Sequence, residues 1–185
     1  IILFKTILSK LYHWKIYVVG SVEYQYPNHL FQAGYFLDKK YYDENTIDFK
    51  HLLLSEKNQS LLKDIQNSNS VGVHIRRGDY MTKQNLVIFG NICTQKYYHD
   101  AIRIITEKVN DAVFYVFSDD ISWVQTHLDI PNAVYVNWNT GESSIYDMYL
   151  MSSCKYNIIA NSTFSYWAAP VSYTHLRAHE TVLDL

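Results

Sequence analysis

The chain of 185 residues is poor in cysteine, with only Cys93 and Cys154. The pair matches no metal-ligand spacing and no disulfide framework, so both are read as reduced, packed thiols of a cytosolic protein. Eight histidines are scattered, with no pair at helix-face spacing inside an acidic cluster, and no metal site is expected. Neither a Gly-rich Walker loop nor a Gly-x-Gly-x-x-Gly run occurs, which argues against a P-loop kinase and a simple dinucleotide enzyme. An Asp-x-Asp motif to hold a metal in front of a sugar nucleotide is also missing. No long uncharged apolar run is present. Lys5, Lys10, His13 and Lys15 interrupt the first twenty residues, which are too charged for a membrane span and lack a signal-peptide cleavage pattern. A net charge of −2 gives no overall attraction for nucleic acid or acidic membranes.

What remains is an ordinary globular composition, 48% hydrophobic, long enough for one domain or one and a half. The 17 tyrosines suit a carbohydrate-handling surface, and an AT-rich genome explains them equally well. The first residue is Ile rather than Met, so the chain is expected to begin inside a longer gene product. An amphipathic helix running into a short strand over 15–19 is expected first. Irregular structure over 24–42 follows, with a Gly34-Tyr35-Phe36 turn inside an aromatic run. Apolar spacing predicts one or two short helices between 46 and 63, and the polar run 66–70 predicts a linker.

From there, strands alternate with helices. Strands are expected at 71–75, 112–117, 133–136 and 156–160. A loop at 81–93 leads to a helix capped by Thr94, a short helix passes through Trp123 and Leu128, and Ser143 caps a helix with Ile145, Met148, Tyr149 and Ser152 on one side. A further helix starts near Tyr166. This alternation means an α/β fold with a doubly wound parallel sheet. The end, from Pro170 to Leu185, follows no earlier pattern; it resembles translated adapter or vector read-through and is read as a non-native tail.

Three polar clusters fall at strand ends, where open α/β sheets bind ligands. The first, His74-Ile75-Arg76-Arg77-Gly78-Asp79, puts two guanidiniums outside a strand, as a diphosphate requires. Side-chain alternation makes Arg76 the first choice for the phosphate and Arg77 the second, with Asp79 holding an arginine in its rotamer. The second, Ser118-Asp119-Asp120, either accepts hydrogen bonds from a ribose or base or caps the next helix, and the cap is favoured. The third, Asn161-Ser162-Thr163-Phe164-Ser165, is either a phosphate cradle at a helix start or a plain N-cap. Asp147 either faces the same crevice or is a solvated helix acid. Together the clusters point to a nucleotide diphosphate, with arginine in place of a divalent cation.

The stretch Val73-His74-Ile75-Arg76-Arg77-Gly78-Asp79-Tyr80 resembles the HxRRGDY signature of the α-1,2-fucosyltransferases, glycosyltransferase family 11. Three other stretches agree in order and spacing: Gly34-Tyr35-Phe36 with Lys40-Tyr41-Tyr42, the run from Phe117 to Trp123, and the run from Asp147 to Trp167. The resemblance covers about residues 22 to 169. It implies a GT-B enzyme, here mainly the Rossmann-like GDP-fucose-binding domain at 70–169, behind a remnant of the acceptor-side domain and linker at 1–69. It implies inverting, metal-independent transfer of L-fucose from GDP-fucose to the 2-hydroxyl of galactose in an oligosaccharide. The implied partners are GDP-fucose and a galactose-containing acceptor, with no cofactor and no nucleic acid. The implied location is the cytoplasm, at most peripheral to the inner membrane. Arg76 and Arg77 match the donor-diphosphate arginines, with Asp79 in the same motif. Ser162, Thr163, Phe164 and Ser165 match the loop near the phosphates, and the resemblance implies that Asp120 and Asp147 contact the nucleoside rather than the phosphates. Arg76 would stabilise charge on the departing GDP. His74 is either the general base or a packed structural histidine.

Overall fold

The computed structural model describes residues 48–169 in full, with the backbone of three short strands at 17–19, 31–33 and 174–176. The N-terminal helix and the Gly34-Tyr35-Phe36 turn lie outside the described residues. Within the strand expected over 15–19, β1 (Tyr17–Val19) is described, and it pairs in parallel with β2 (Phe31–Ala33). These belong to a first compact unit, Ile1–Thr46; a second spans Ile47–Leu185.

Helix α1 (Glu56–Asn67) comes first in the second unit, with Leu61 and Ile65, four residues apart, buried on one stripe. The Ser55 hydroxyl caps it, accepting the Asn58 N–H at 3.3 Å. It is one helix rather than two, starting later and running further than the apolar spacing suggested. The run 66–70 is therefore not a linker, since α1 continues through Asn67 and β3 (Asn69–Ile75) begins two residues on. Ser68 and Ser70 make their side-chain bonds inside the protein. Ser70 is fully buried and accepts the Lys155 N–H at 3.1 Å, while the Ser68 hydroxyl meets that of Tyr115 at 3.2 Å. Helix α1 thus belongs with the sheet, not with the part of the chain ahead of it.

The remaining elements are α2 (Gln95–Lys108), β4 (Ala112–Ser118), α3 (Ile121–His127), β5 (Ala133–Val136), α4 (Ser144–Ser152), β6 (Tyr156–Ile158), α5 (Thr163–Ala168) and β7 (Thr174–Leu176). The five strands described in this unit form one parallel sheet in the order β5-β4-β3-β6-β7. Tyr98, Ala101, Ile102 and Ile105 of α2 and Val124 of α3 cover one face, against Val71, Val73, Ile75, Phe114 and Val116. Leu61, Ile65, Leu150, Met151 and Ala168, from α1, α4 and α5, cover the other, against Tyr115, Phe117 and Val136. Burial on both faces is why the strands read as continuous apolar runs.

Local differences from expectation follow from caps and turns. Thr94 caps α2 as anticipated, accepting the Tyr97 N–H at 3.3 Å. Ser143 does not cap α4. It ends a 3-10 turn (Gly141–Ser143) with helical backbone, and the buried side of α4 is Leu150, Met151 and Ser152, with Ile145 36% exposed. The 81–93 loop is partly ordered, by a 3-10 turn at Gly78–Met81 and a π-helical turn at Leu86–Gly90. Helix α5 starts at Thr163, three residues before Tyr166. In the tail set aside from the sequence, β7 has strand backbone.

The strand order locates the crevice. The chain lays β3, β4 and β5 outward in one direction, then returns to the far side of β3 with β6. The sheet reverses between β3 and β6, and ligands of open α/β sheets bind outside the strand ends at such a point.

Candidate functional site

The end of β3 delivers both arginines to that edge, and carboxylates from the neighbouring strand end meet them. Ile75 pairs with Ser118, so Asp119 comes level with the turn after β3. Its Oδ1 accepts the Arg77 backbone N–H at 2.9 Å, and its Oδ2 pairs with Arg76 Nη1 at 2.9 Å. Arg76 Nη2 also pairs with Asp79 Oδ1 at 2.7 Å. Arg77 takes the other side, as strand alternation requires, with Nε 3.2 Å from Asp120 Oδ2 and its guanidinium 3.7 Å from the centre of the Trp123 ring. The Arg76 side chain is 37% exposed against 20% for Arg77, so Arg76 is the more open of the two. Asp120 is the helix cap favoured from sequence, its Oδ1 accepting the Trp123 N–H at 3.1 Å. Both its oxygens are thus engaged within the protein.

The start of α5 forms the facing wall. Thr163 is exposed there, and the Ser162 side chain makes no capping bond. Ser165, expected among the phosphate-loop residues, is fully buried. Its Oγ accepts the Ala160 N–H at 3.2 Å and bonds to His74 Nδ1. That burial, against Ala160 and His74, separates it from Ser162 and Thr163 at the helix start. Phe164 packs on His74, ring centres 4.9 Å apart. His74 is itself buried, and burial together with the Arg76 charge lowers its imidazole to about 3. Tyr80 bridges the two walls, its hydroxyl donating to the Asn161 carbonyl at 3.0 Å.

Asp147 belongs to a second polar group, after β5. Asn139 Nδ2 donates to its Oδ1 at 2.7 Å, and Asn139 Nδ2 and Trp138 Nε1 both donate to Asn58 Oδ1, at 3.2 and 2.7 Å. Burial outweighs the Asn139 bond and pushes the Asp147 carboxyl up to about 7. Such an acid favours the folded state fully below its unfolded value, and the advantage is lost as pH rises through about 7. Asp147→Asn, which cannot ionise, is therefore expected to gain thermal stability over wild type as pH goes from about 5 to about 8. Melting curves that shift in parallel for the two proteins would contradict this.

The site is thus a doubly cationic strand end, braced by carboxylates, facing the start of a hydroxyl-bearing helix across a topological switch point. The sequence matches the family described as Glycosyl transferase family 11 over residues 4–176. The chain belongs to that family. It is 36% identical over 159 residues to the alpha-1,2-colitosyltransferase of Escherichia coli, covering 81% of this chain and 51% of that protein. It is 46% identical over 105 residues to the O-antigen biosynthesis glycosyltransferase WbnK of the same organism, covering 56% and 35%. The galactoside alpha-(1,2)-fucosyltransferase 2 of Pongo pygmaeus is 29% identical over 126 residues, covering 64% and 37%. The chain therefore spans about half or less of the length of these relatives. Within this family 11 chain, Asp119 is the site residue that sequence reasoning passed over. It appeared as one acid of a capping cluster, and only the β3–β4 register shows that it grips both arginines.

Proposed function

We propose that the protein to which this chain belongs transfers L-fucose from GDP-fucose to the 2-hydroxyl of a galactose in an oligosaccharide or surface glycan. The observation that carries this is the pair of guanidiniums at the end of β3, with Arg76 the more open. A diphosphate accepts paired hydrogen bonds from such groups, and the charge on the departing GDP grows where they sit. The acceptor oxygen attacks the anomeric carbon from the face opposite the diphosphate, with inversion. The C–O bond to the β-phosphate breaks, GDP leaves with the bonding electrons, and the hydroxyl proton passes to a base. Arg76, Arg77 and Asp79 are assigned to the donor side. Ser162, Thr163 and Phe164 bound the phosphates, and Asp120 and Asp147 stand toward the nucleoside. In this assignment the described sheet is the donor half of a two-domain GT-B enzyme of the cytoplasm, at most peripheral to a membrane. Among the described residues no helix is long and apolar enough to cross one.

A colitosyl donor is the second possibility, favoured by the relative that shares 36% identity over 81% of the chain. A GDP-binding chain without transfer, or a different acceptor, are the further alternatives. Titration of GDP, followed by transfer assays on lactose with GDP-fucose and GDP-colitose, separates them. Fucose transfer that persists in EDTA is expected, because guanidiniums rather than a divalent cation neutralise the diphosphate. Loss of transfer in EDTA, restored by a divalent cation, would refute the metal-free assignment. GDP binding without transfer would reduce the chain to its donor half.

A further inference from the structure

His74 and Ser165 form a buried pair whose proton placement is set by hydrogen-bond accounting. Ser165 is fully buried, so its hydroxyl proton needs an acceptor inside the protein. Its oxygen already accepts the Ala160 N–H at 3.2 Å. The acceptor in reach of the hydroxyl is His74 Nδ1, so that nitrogen carries no proton. The imidazole must then hold its proton on Nε2. Around the ring stand Arg76 on the same strand, Phe164 and Ser165 from α5, and Tyr98 from α2, whose hydroxyl donates to the His74 carbonyl at 3.2 Å. No carboxylate is among these groups to favour an imidazolium. Nε2 has no partner among the described residues. The only sealed and unbonded side-chain polar atoms found there are those of Asn157, so Nε2 shares in the 7% of His74 that stays exposed.

We propose that Ser165 is a positioning residue that fixes His74 as the neutral tautomer protonated on Nε2, so that His74 offers a hydrogen-bond donor beside Arg76 rather than acting as a general base. The tautomer follows from the buried pair alone, whereas the ligand it meets rests on the GDP assignment above. A donor adjoining the Arg76 guanidinium suits an acceptor atom on an anionic ligand, and a proton-accepting role would need the opposite tautomer.

The test is nitrogen NMR of the full chain with labelled histidine. His74 is expected as a single neutral form, bare at Nδ1 and protonated at Nε2, from about pH 8 to about pH 5, where an ordinary histidine would be largely protonated. Ser165→Ala is expected to release it into a tautomer mixture, and Ser165→Thr, which keeps the hydroxyl, to restore the wild-type signal. A proton on Nδ1 in the wild type, or titration near the ordinary histidine value, overturns the proposal without recourse to any variant. Added GDP is expected to shift the Nε2–H signal. GDP binding that leaves it unmoved overturns the donor role. If GDP does not bind while the tautomer is as stated, the GDP assignment fails and the Ser165 assignment stands.

Discussion

Arg76→Ala is expected to weaken GDP binding by roughly 10- to 100-fold, the loss of one or two charge-assisted hydrogen bonds. The transfer rate should fall further, by about 10²- to 10³-fold, as when one donor to a developing oxyanion is removed. The effect has two parts. Arg76 brings its own charge to the diphosphate, and it also neutralises Asp119 at 2.9 Å and Asp79 at 2.7 Å. Without it, two carboxylates face the incoming anion unopposed. Arg76→Lys separates the parts, because an ammonium keeps the charge but not the planar fork that spans two acids. It should recover part of the GDP affinity and less of the rate. Calorimetric titration of GDP beside a transfer assay measures both. Unchanged GDP affinity in Arg76→Ala would remove the arginine from the donor site altogether.

How much of this was legible depended on whether the deciding partner was near in sequence. The β3 motif could be read directly, because an apolar run ending in two arginines, a glycine and an acid has one simple place at a sheet edge. Burial on both faces was equally visible in the unbroken run at Val113-Phe114-Tyr115-Val116-Phe117, and Thr94 and Asp120 announced their helices by local cap chemistry. What failed needed a distant partner. Ser70 looked like linker because the Lys155 N–H it accepts lies 85 residues away. Asp119 looked like half a cap because its arginines lie across a strand register. Ser165 looked like a phosphate ligand because its pairing with His74 depends on where α5 begins, and Ser162, Thr163 and Ser165 are alike in composition but not in burial.

Gly72 is the position where that same non-local packing predicts the largest stability effect. A strand glycine ordinarily gains about 0.5–1 kcal/mol when replaced by alanine, since its backbone is the freer in the unfolded chain. Here the opposite sign is expected, a loss of about 2–3 kcal/mol from overpacking. A Cβ at Gly72 would lie 2.2 Å from Asn157 Oδ1 and 3.1 Å from Met151 Cγ. Asn157 pairs with Gly72 across the β3–β6 register and is 1% exposed, with Met151 fully buried beside it, so the amide has little room to retreat. The same amide is bonded at neither its oxygen nor its nitrogen, so it gains nothing that would hold it in place against a smaller residue. Asn157→Ala therefore removes both the obstruction and a buried unsatisfied group. In that background Gly72→Ala should cost less than about 1 kcal/mol, a coupling of about 2 kcal/mol between the two positions. Urea unfolding of the four proteins in this cycle measures it, provided the denaturant slopes agree. Equal costs of Gly72→Ala in both backgrounds would mean that the backbone of β3, not the Asn157 side chain, sets the requirement for glycine.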